Sequence, residues 1–215
     1  MQPMQPMFLK EPHNMLISGI TNCGKTHYVL DLLETEYYNF FTKIILFCPT
    51  YTSNKTYDRE WIDRFIDREK LIVLPTDVVK DNLNECLKIA TETYKNNGNV
   101  LFLIDDCANL HDVKKKKSEL CNLAFSVRHL GISVWVINQK YNSVVKDFRE
   151  NIRFLILFYN KDKQSLKDAL DENDIIPKED REIFVNELKQ TKGSKLLMRL
   201  EHPYQYTLLT LLSNP

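Results

Sequence analysis

Glycine is scarce in this chain, with five in 215 residues. None forms a flexible linker, and no repeat or domain boundary is visible, so one packed unit is expected. The five cysteines, Cys23, Cys48, Cys86, Cys107 and Cys121, are odd in number and show no C-x-x-C pair. A disulfide framework or zinc site is therefore not expected, and a reducing compartment is. Apolar runs such as Val100–Ile104 are too short to span a bilayer, so no membrane partner is expected. Met1–Lys10 lacks a basic stretch followed by an apolar one, so no secretory signal is expected either. Net charge is also missing: 29 Lys and Arg balance 29 Asp and Glu. Any nucleic-acid contact must then come from a local patch.

What is present is ordinary globular composition, 43% apolar and 27% charged. The doubled Met-Gln-Pro at Met1–Pro6 reads as part of a flexible arm over residues 1–12. One domain is expected over 13–215, with a core at 14–159 and C-terminal helices and a hairpin at 160–215. Strands are expected at Asn14–Ser18, Lys43–Cys48, Leu71–Leu74, Val100–Ile104, Ser133–Ile137 and Phe154–Tyr159. Helices are expected at Lys25–Thr35, Asp58–Glu69, Val79–Asn96, Ser118–Leu130 and Asn142–Asn151. Two more should follow near Gln164–Asp171 and Lys178–Gln190. In Asp58–Glu69 the spacing puts Trp61, Phe65 and Ile66 on one face. Lys195–Leu200 and Tyr206–Leu211 read as a terminal hairpin. Strands apolar on both faces and separated by helices indicate an α/β fold with a mainly parallel sheet covered on both sides.

Gly19-Ile20-Thr21-Asn22-Cys23-Gly24-Lys25-Thr26 fits G-x-x-x-x-G-K-[ST] at every defined position, and spends two of the five glycines there. It follows an apolar strand and opens a helix. The glycines permit a tight loop whose backbone N–H groups face phosphate, and the helix N-terminus adds its positive dipole end. A nucleoside triphosphate with Mg²⁺ is the expected ligand. Lys25 should reach the β- and γ-phosphates and Thr26 the metal. His27 follows on the helix, and the Cys23 side chain reads as a spectator.

Asp105 ends an apolar strand, the Walker B pattern, and should hold the metal's hydration shell. Asp106 stands where related ATPases often carry a Glu that polarises the attacking water. The pair also suits a plain strand end that caps a turn. Gln139 ends the next strand. If that strand lies between the P-loop strand and the Walker B strand, Gln139 points at the γ-phosphate, an arrangement of hydrolytic motors and not of nucleotide kinases. Otherwise it is a polar strand end in solvent.

Taken together, Gly19–Thr26, Leu101–Asp106, Ser126-Val127-Arg128-His129, Ile132-Ser133, Ile137-Asn138-Gln139 and Phe148-Arg149-Glu150-Asn151 resemble the poxvirus-type DNA-packaging ATPases of the FtsK–HerA superfamily. That group serves large DNA viruses, virophages and polinton-like elements. The resemblance runs from about Met15 to Phe158. It departs from the family at Asn138, where Thr or Ser is common, and at Asp106. It implies a P-loop NTPase three-layer sandwich with core strand order 5-1-4-3-2, and ATP-driven translocation of double-stranded DNA into a preformed capsid. A homo-oligomeric ring, pentamer or hexamer, would act at the intracellular site of virion assembly or in association with the virion. In such rings an arginine from one subunit completes its neighbour's site. Arg149 and Arg128 match the family pattern, with Arg153 a third candidate; a salt-bridged surface arginine is the alternative for each.

Lys114-Lys115-Lys116-Lys117 is the densest basic run. It can track DNA phosphates in a channel or form a solvated loop. Tyr51, Tyr57 and Tyr141 read as packing residues. Two other functions fit the same core: a P-loop nucleoside or nucleotide kinase, and a virion assembly protein switched by ATP.

Overall fold

The computed structural model describes residues 7, 8, 10–107 and 118–210; the Lys114–Lys117 run lies outside them. Eight strands form one sheet: β1 (Asn14–Ser18), β2 (Lys43–Phe47), β3 (Leu71–Val73), β4 (Val100–Asp105), β5 (Ile132–Asn138), β6 (Phe154–Phe158), β7 (Lys195–Arg199) and β8 (Gln205–Leu209). Their order is β3-β2-β4-β5-β1-β6-β7-β8. Pairing is parallel from β3 to β6 and antiparallel at β6–β7 and β7–β8. The terminal hairpin thus extends the sheet. With the edge strand β3 set aside, the parallel core has the expected order 5-1-4-3-2.

Seven helices accompany the strands among the described residues: α1 (Lys25–Glu34), α2 (Glu60–Asp67), α3 (Thr76–Tyr94), α4 (Glu119–Leu130), α5 (Lys146–Arg149), α6 (Lys163–Glu172) and α7 (Lys178–Gln190). Every residue of β1, β4, β5 and β6 is buried. Successive side chains enter opposite faces, so the sheet carries two cores. Met15, Ile17, Leu103 and Ile137 pack under α1 and α2, while Leu16, Phe102, Ile104 and Val136 pack under α3, α4, α5 and α6. Among the described residues no helix is long and apolar enough to cross a membrane.

Two local expectations change. The helix expected over Asn142–Asn151 is broken into a 3₁₀ turn at Tyr141–Ser143 and the single turn of α5. Val144 and Val145 between them are extended and buried, the conformation β-branched residues favour when a core will take them. In α2 the buried stripe is Trp61, Ile62 and Phe65, and Ile66 is 38% exposed at its edge.

His13 precedes β1 and is fully buried among Tyr37, Trp135 and Phe154. Its Nδ1–H donates to the Glu11 carbonyl at 2.7 Å, and its Nε2 accepts from Trp135 Nε1 at 3.0 Å. Burial lowers its pKa to about 4; the Glu11 bond opposes this and the nearby Arg153 charge adds to it. The unfolded chain therefore binds the extra proton first as pH falls below 6.5. Folding stability should drop by about 2 kcal/mol between pH 7 and pH 5 from this group alone. Urea melts across that range should show the slope, and His13→Gln should flatten it. An unchanged slope in the variant would remove His13 as its source.

Candidate active site

The strand register decides which side chains meet. Ser18 lies opposite Asn138, and Asp105 opposite Ile137, so the C-terminal ends of β1, β4 and β5 are level. The loop after β1, the aspartates after β4 and Gln139 after β5 open into one cleft of about 330 Å³. This is the crevice at the carboxyl ends of parallel strands where α/β sheets bind ligands.

Gly19–Thr26 forms the floor. Gly19 N–H donates to the Asn138 carbonyl and Ile20 N–H to that of Tyr159. Asn22 and Gly24 have φ of 61° and 99°, left-handed values that curl the loop and turn its amides inward. Gly19 is forced by packing: a Cβ there would lie 2.5 Å from Phe158 Cβ. Lys25 opens α1 and folds back over the loop. Its Nζ donates to the carbonyls of Gly19 at 2.8 Å and Ile20 at 2.7 Å. Burial pulls the Lys25 pKa down, while the charges of Asp105 and Asp106 push it up. The Cys23 side chain is buried beside this amine, with Sγ at 3.9 Å, and burial raises its thiol pKa. His27 lines the cleft from the first turn of α1 and contacts Arg59 through Nδ1 at 2.8 Å.

Asp105 is almost fully buried. Its Oδ2 accepts from Thr26 Oγ1 at 2.9 Å and from Tyr57 OH at 2.7 Å. Burial raises its carboxyl pKa and the two hydrogen bonds oppose that. A carboxylate and a hydroxyl touching at the helix start form a hard-oxygen pair. That donor set suits Mg²⁺, which takes few protein ligands and shares the rest with water and phosphate. Asp106, at φ 55°, is exposed, and its Oδ2 accepts from Thr50 Oγ1 at 2.8 Å. Gln139 is held by its backbone: its N–H donates to Asn138 Oδ1 and its carbonyl accepts from Asn160 Nδ2, both at 2.7 Å. Its side chain is exposed in the cleft.

The segment after β2 is the part of the site that the sequence reading missed. Asn54 and Thr56 line the cleft, while Thr50 and Tyr57 hold the aspartates. Tyr57 had the look of a packing residue. Only the adjacency of β2 and β4 signals otherwise, because whatever follows β2 must pass Asp105 and Asp106.

None of the three arginines lines this cleft. Arg149 is 10% exposed, ion-paired to Glu172, bonded to the Val144 carbonyl and set over the Tyr141 ring. Arg153 is buried between Glu11 and Glu201. Arg128 also reaches Glu201, at 3.0 Å, but its side chain is 63% exposed.

Comparison with known proteins fits this geometry. The chain is 28% identical over 160 residues to the DNA packaging protein OPG160 of Variola virus, covering 73% of this chain and 57% of the relative. It is 29% identical over 153 residues to the Vaccinia virus (strain Copenhagen) protein of that name, covering 70% and 54%. The chain thus spans just over half the length of these relatives. Among solved structures, the genome packaging NTPase B204 of Sulfolobus turreted icosahedral virus 2, in complex with ATP-gammaS, shares the fold. The TM-score is 0.67 at 15% identity, over 93% of this chain and 98% of that one. The pCW3 conjugation coupling protein TcpA gives 0.57 at 15% identity, over 92% and 60%. The family model described as Poxvirus A32 protein matches residues 4–194, which take in strands β1 to β6 and the entire cleft, and the chain belongs to that family.

Proposed function

We propose that this protein is an ATP-hydrolysing motor subunit that moves double-stranded viral DNA into a preformed capsid. The observation that carries the reading is the position of β5. It lies between β1 and β4, so Gln139 faces the same cleft as the P-loop, Asp105 and Asp106. A hydrolase needs such a group over the terminal phosphate, and a kinase needs an acceptor pocket there instead. The relatives named as DNA packaging proteins and the packaging NTPase structures bound to ATP analogues support the substrate and the task.

In this reading the P-loop amides and Lys25 bind the β- and γ-phosphates. Thr26 and Asp105 hold Mg²⁺, which when bound neutralises charge on the phosphate oxygens. Asp106 accepts a proton from the attacking water, and Gln139 orients that water. A ring of five or six copies would bring a neighbour's arginine to the cleft. Arg128 is ion-paired to Glu201 and Arg149 to Glu172, but the exposed side chain of Arg128 suits that reach better than the nearly buried one of Arg149. Lys114–Lys117 would follow DNA phosphates without reading sequence, so binding should weaken steeply with salt. Capsid proteins are the remaining partner, at the site of virion assembly.

The test is phosphate release from ATP with and without linear duplex DNA, at a concentration where the oligomer has been measured. Duplex DNA should stimulate hydrolysis several-fold. Equal rates with and without DNA would sink the motor reading, and phosphate transfer to a nucleoside would replace it with the kinase.

A further inference from the structure

The segment Thr50–Tyr57 leaves β2 and crosses the C-terminal ends of the central strands. It contains two 3₁₀ turns, Tyr51–Ser53 and Lys55–Tyr57. Asn54 caps the second by accepting the Thr56 N–H on its side-chain oxygen at 3.1 Å. The Tyr57 ring packs on Tyr51, with centroids 5.2 Å apart, and the residue is 4% exposed. That burial holds its phenol beside the Cys48 thiol and on Asp105 Oδ2, to which it donates at 2.7 Å. The same oxygen takes the Thr26 hydroxyl from α1. Two donors from different elements converge on one carboxylate oxygen and restrain its position. Thr50, seven residues earlier, donates to Asp106 Oδ2 at 2.8 Å and so holds this exposed side chain toward the segment. One segment therefore grips both aspartates, with one neutral donor for each.

We infer that Tyr57 and Thr50 are positioning residues for the nucleotide site, Tyr57 setting the carboxylate that faces the metal and Thr50 setting the one that faces the attacking water. Neither touches the reacting atoms; each acts through an aspartate. This rests on the site assignment above. The two residues should fail in different ways. Partners of metal-binding carboxylates fix ligand orientation, and losing one costs about 10-fold in metal affinity. Tyr57→Phe keeps the ring packed on Tyr51 and removes only the donor. Thr50→Val keeps the shape and removes the hydroxyl, and Thr50→Ser restores it.

The experiment titrates MgCl₂ into the full chain with a fluorescent non-hydrolysable ATP analogue, and follows turnover and thermal melting in parallel. For Y57F, analogue binding in EDTA should match wild type, while the magnesium needed for half-maximal tightening rises about 10-fold. For T50V the magnesium titration should match wild type, turnover should fall about 10-fold, and T50S should recover it. A purely structural role would lower the melting temperature and leave the magnesium midpoint where it was. Y57F with a wild-type magnesium midpoint, beside a magnesium-dependent wild type, overturns the inference alone. Wild-type binding that ignores magnesium overturns the site assignment along with it. T50V and T50S losing turnover equally would remove Thr50.

Discussion

Lys25→Ala is expected to leave the fold intact and abolish nucleotide turnover. The Lys25 amine sits over the loop on the carbonyls of Gly19 and Ile20, within the field of the Asp105 and Asp106 carboxylates. In that position it is the only lysine or arginine among the cleft-lining residues described. A triphosphate entering the loop would exchange those two carbonyls for phosphate oxygens, a better partner for an ammonium group. Without the amine, the charge that develops in phosphoryl transfer lacks its fixed counter-charge. Loss of one such preorganised donor costs about 10²–10³-fold in turnover. Stability should move little, because the desolvation cost of the buried amine and its hydrogen bonds to Gly19 and Ile20 are removed together. Phosphate release and a thermal melt on the same preparation check both halves. Hydrolysis within tenfold of wild type would end the assignment of Lys25, whatever the melt shows.

Gly19→Ala should damage both fold and binding, although it adds one methyl group. That methyl would lie 2.5 Å from Phe158 Cβ and 3.0 Å from Cys23 Sγ. Phe158 Cβ cannot yield like the tip of a long side chain, because β6 is hydrogen-bonded to β1 on one side and β7 on the other. The loop must move instead, and it carries the amides and Lys25 with it. Overpacking of this kind costs about 1–3 kcal/mol of stability. A shift approaching 1 Å at the loop should cost about 10²-fold in productive nucleotide engagement. Urea melts and titration with a fluorescent ATP analogue would measure the two effects. Wild-type behaviour in both would mean that the β1–β6 contact is looser than the geometry indicates.

These two residues also show how differently parts of the site can be read. Lys25 is legible from the sequence because its partners are near neighbours and the loop's chemistry repeats at fixed spacing. The reason for Gly19 is only half legible: the motif demands glycine, but Phe158, which enforces it, is remote in the sequence. Gln139 was legible on condition that β5 lie between β1 and β4, and the strand order meets that condition. Tyr57 gave no signal. Its partner lies 48 residues away across two strands, and one tyrosine among ten has the same preference for burial as the rest. The helix expected at Asn142–Asn151 failed because Val144 and Val145 gain more from an extended, buried conformation than from helical hydrogen bonds. Among the arginines, motif position put forward Arg149 and Arg128 alike, yet the fold packs Arg149 against Glu172 and Tyr141, and such ion pairs leave no pattern in sequence.

The sequence by itself determined the alternation of strands and helices, the phosphate-binding turn at Gly19–Thr26 and the acid at the end of β4. Backbone torsions, apolar periodicity and short-range hydrogen bonding settle all three. The tertiary structure alone decided that the segment after β2 crosses the site and donates to Asp105 and Asp106, that Phe158 leaves Gly19 no room, and that Arg149 is nearly buried on Glu172 while Arg128, paired to Glu201, keeps an exposed side chain. Those contacts depend on which strand lies beside which, and that is set by burying both faces of the whole sheet at once.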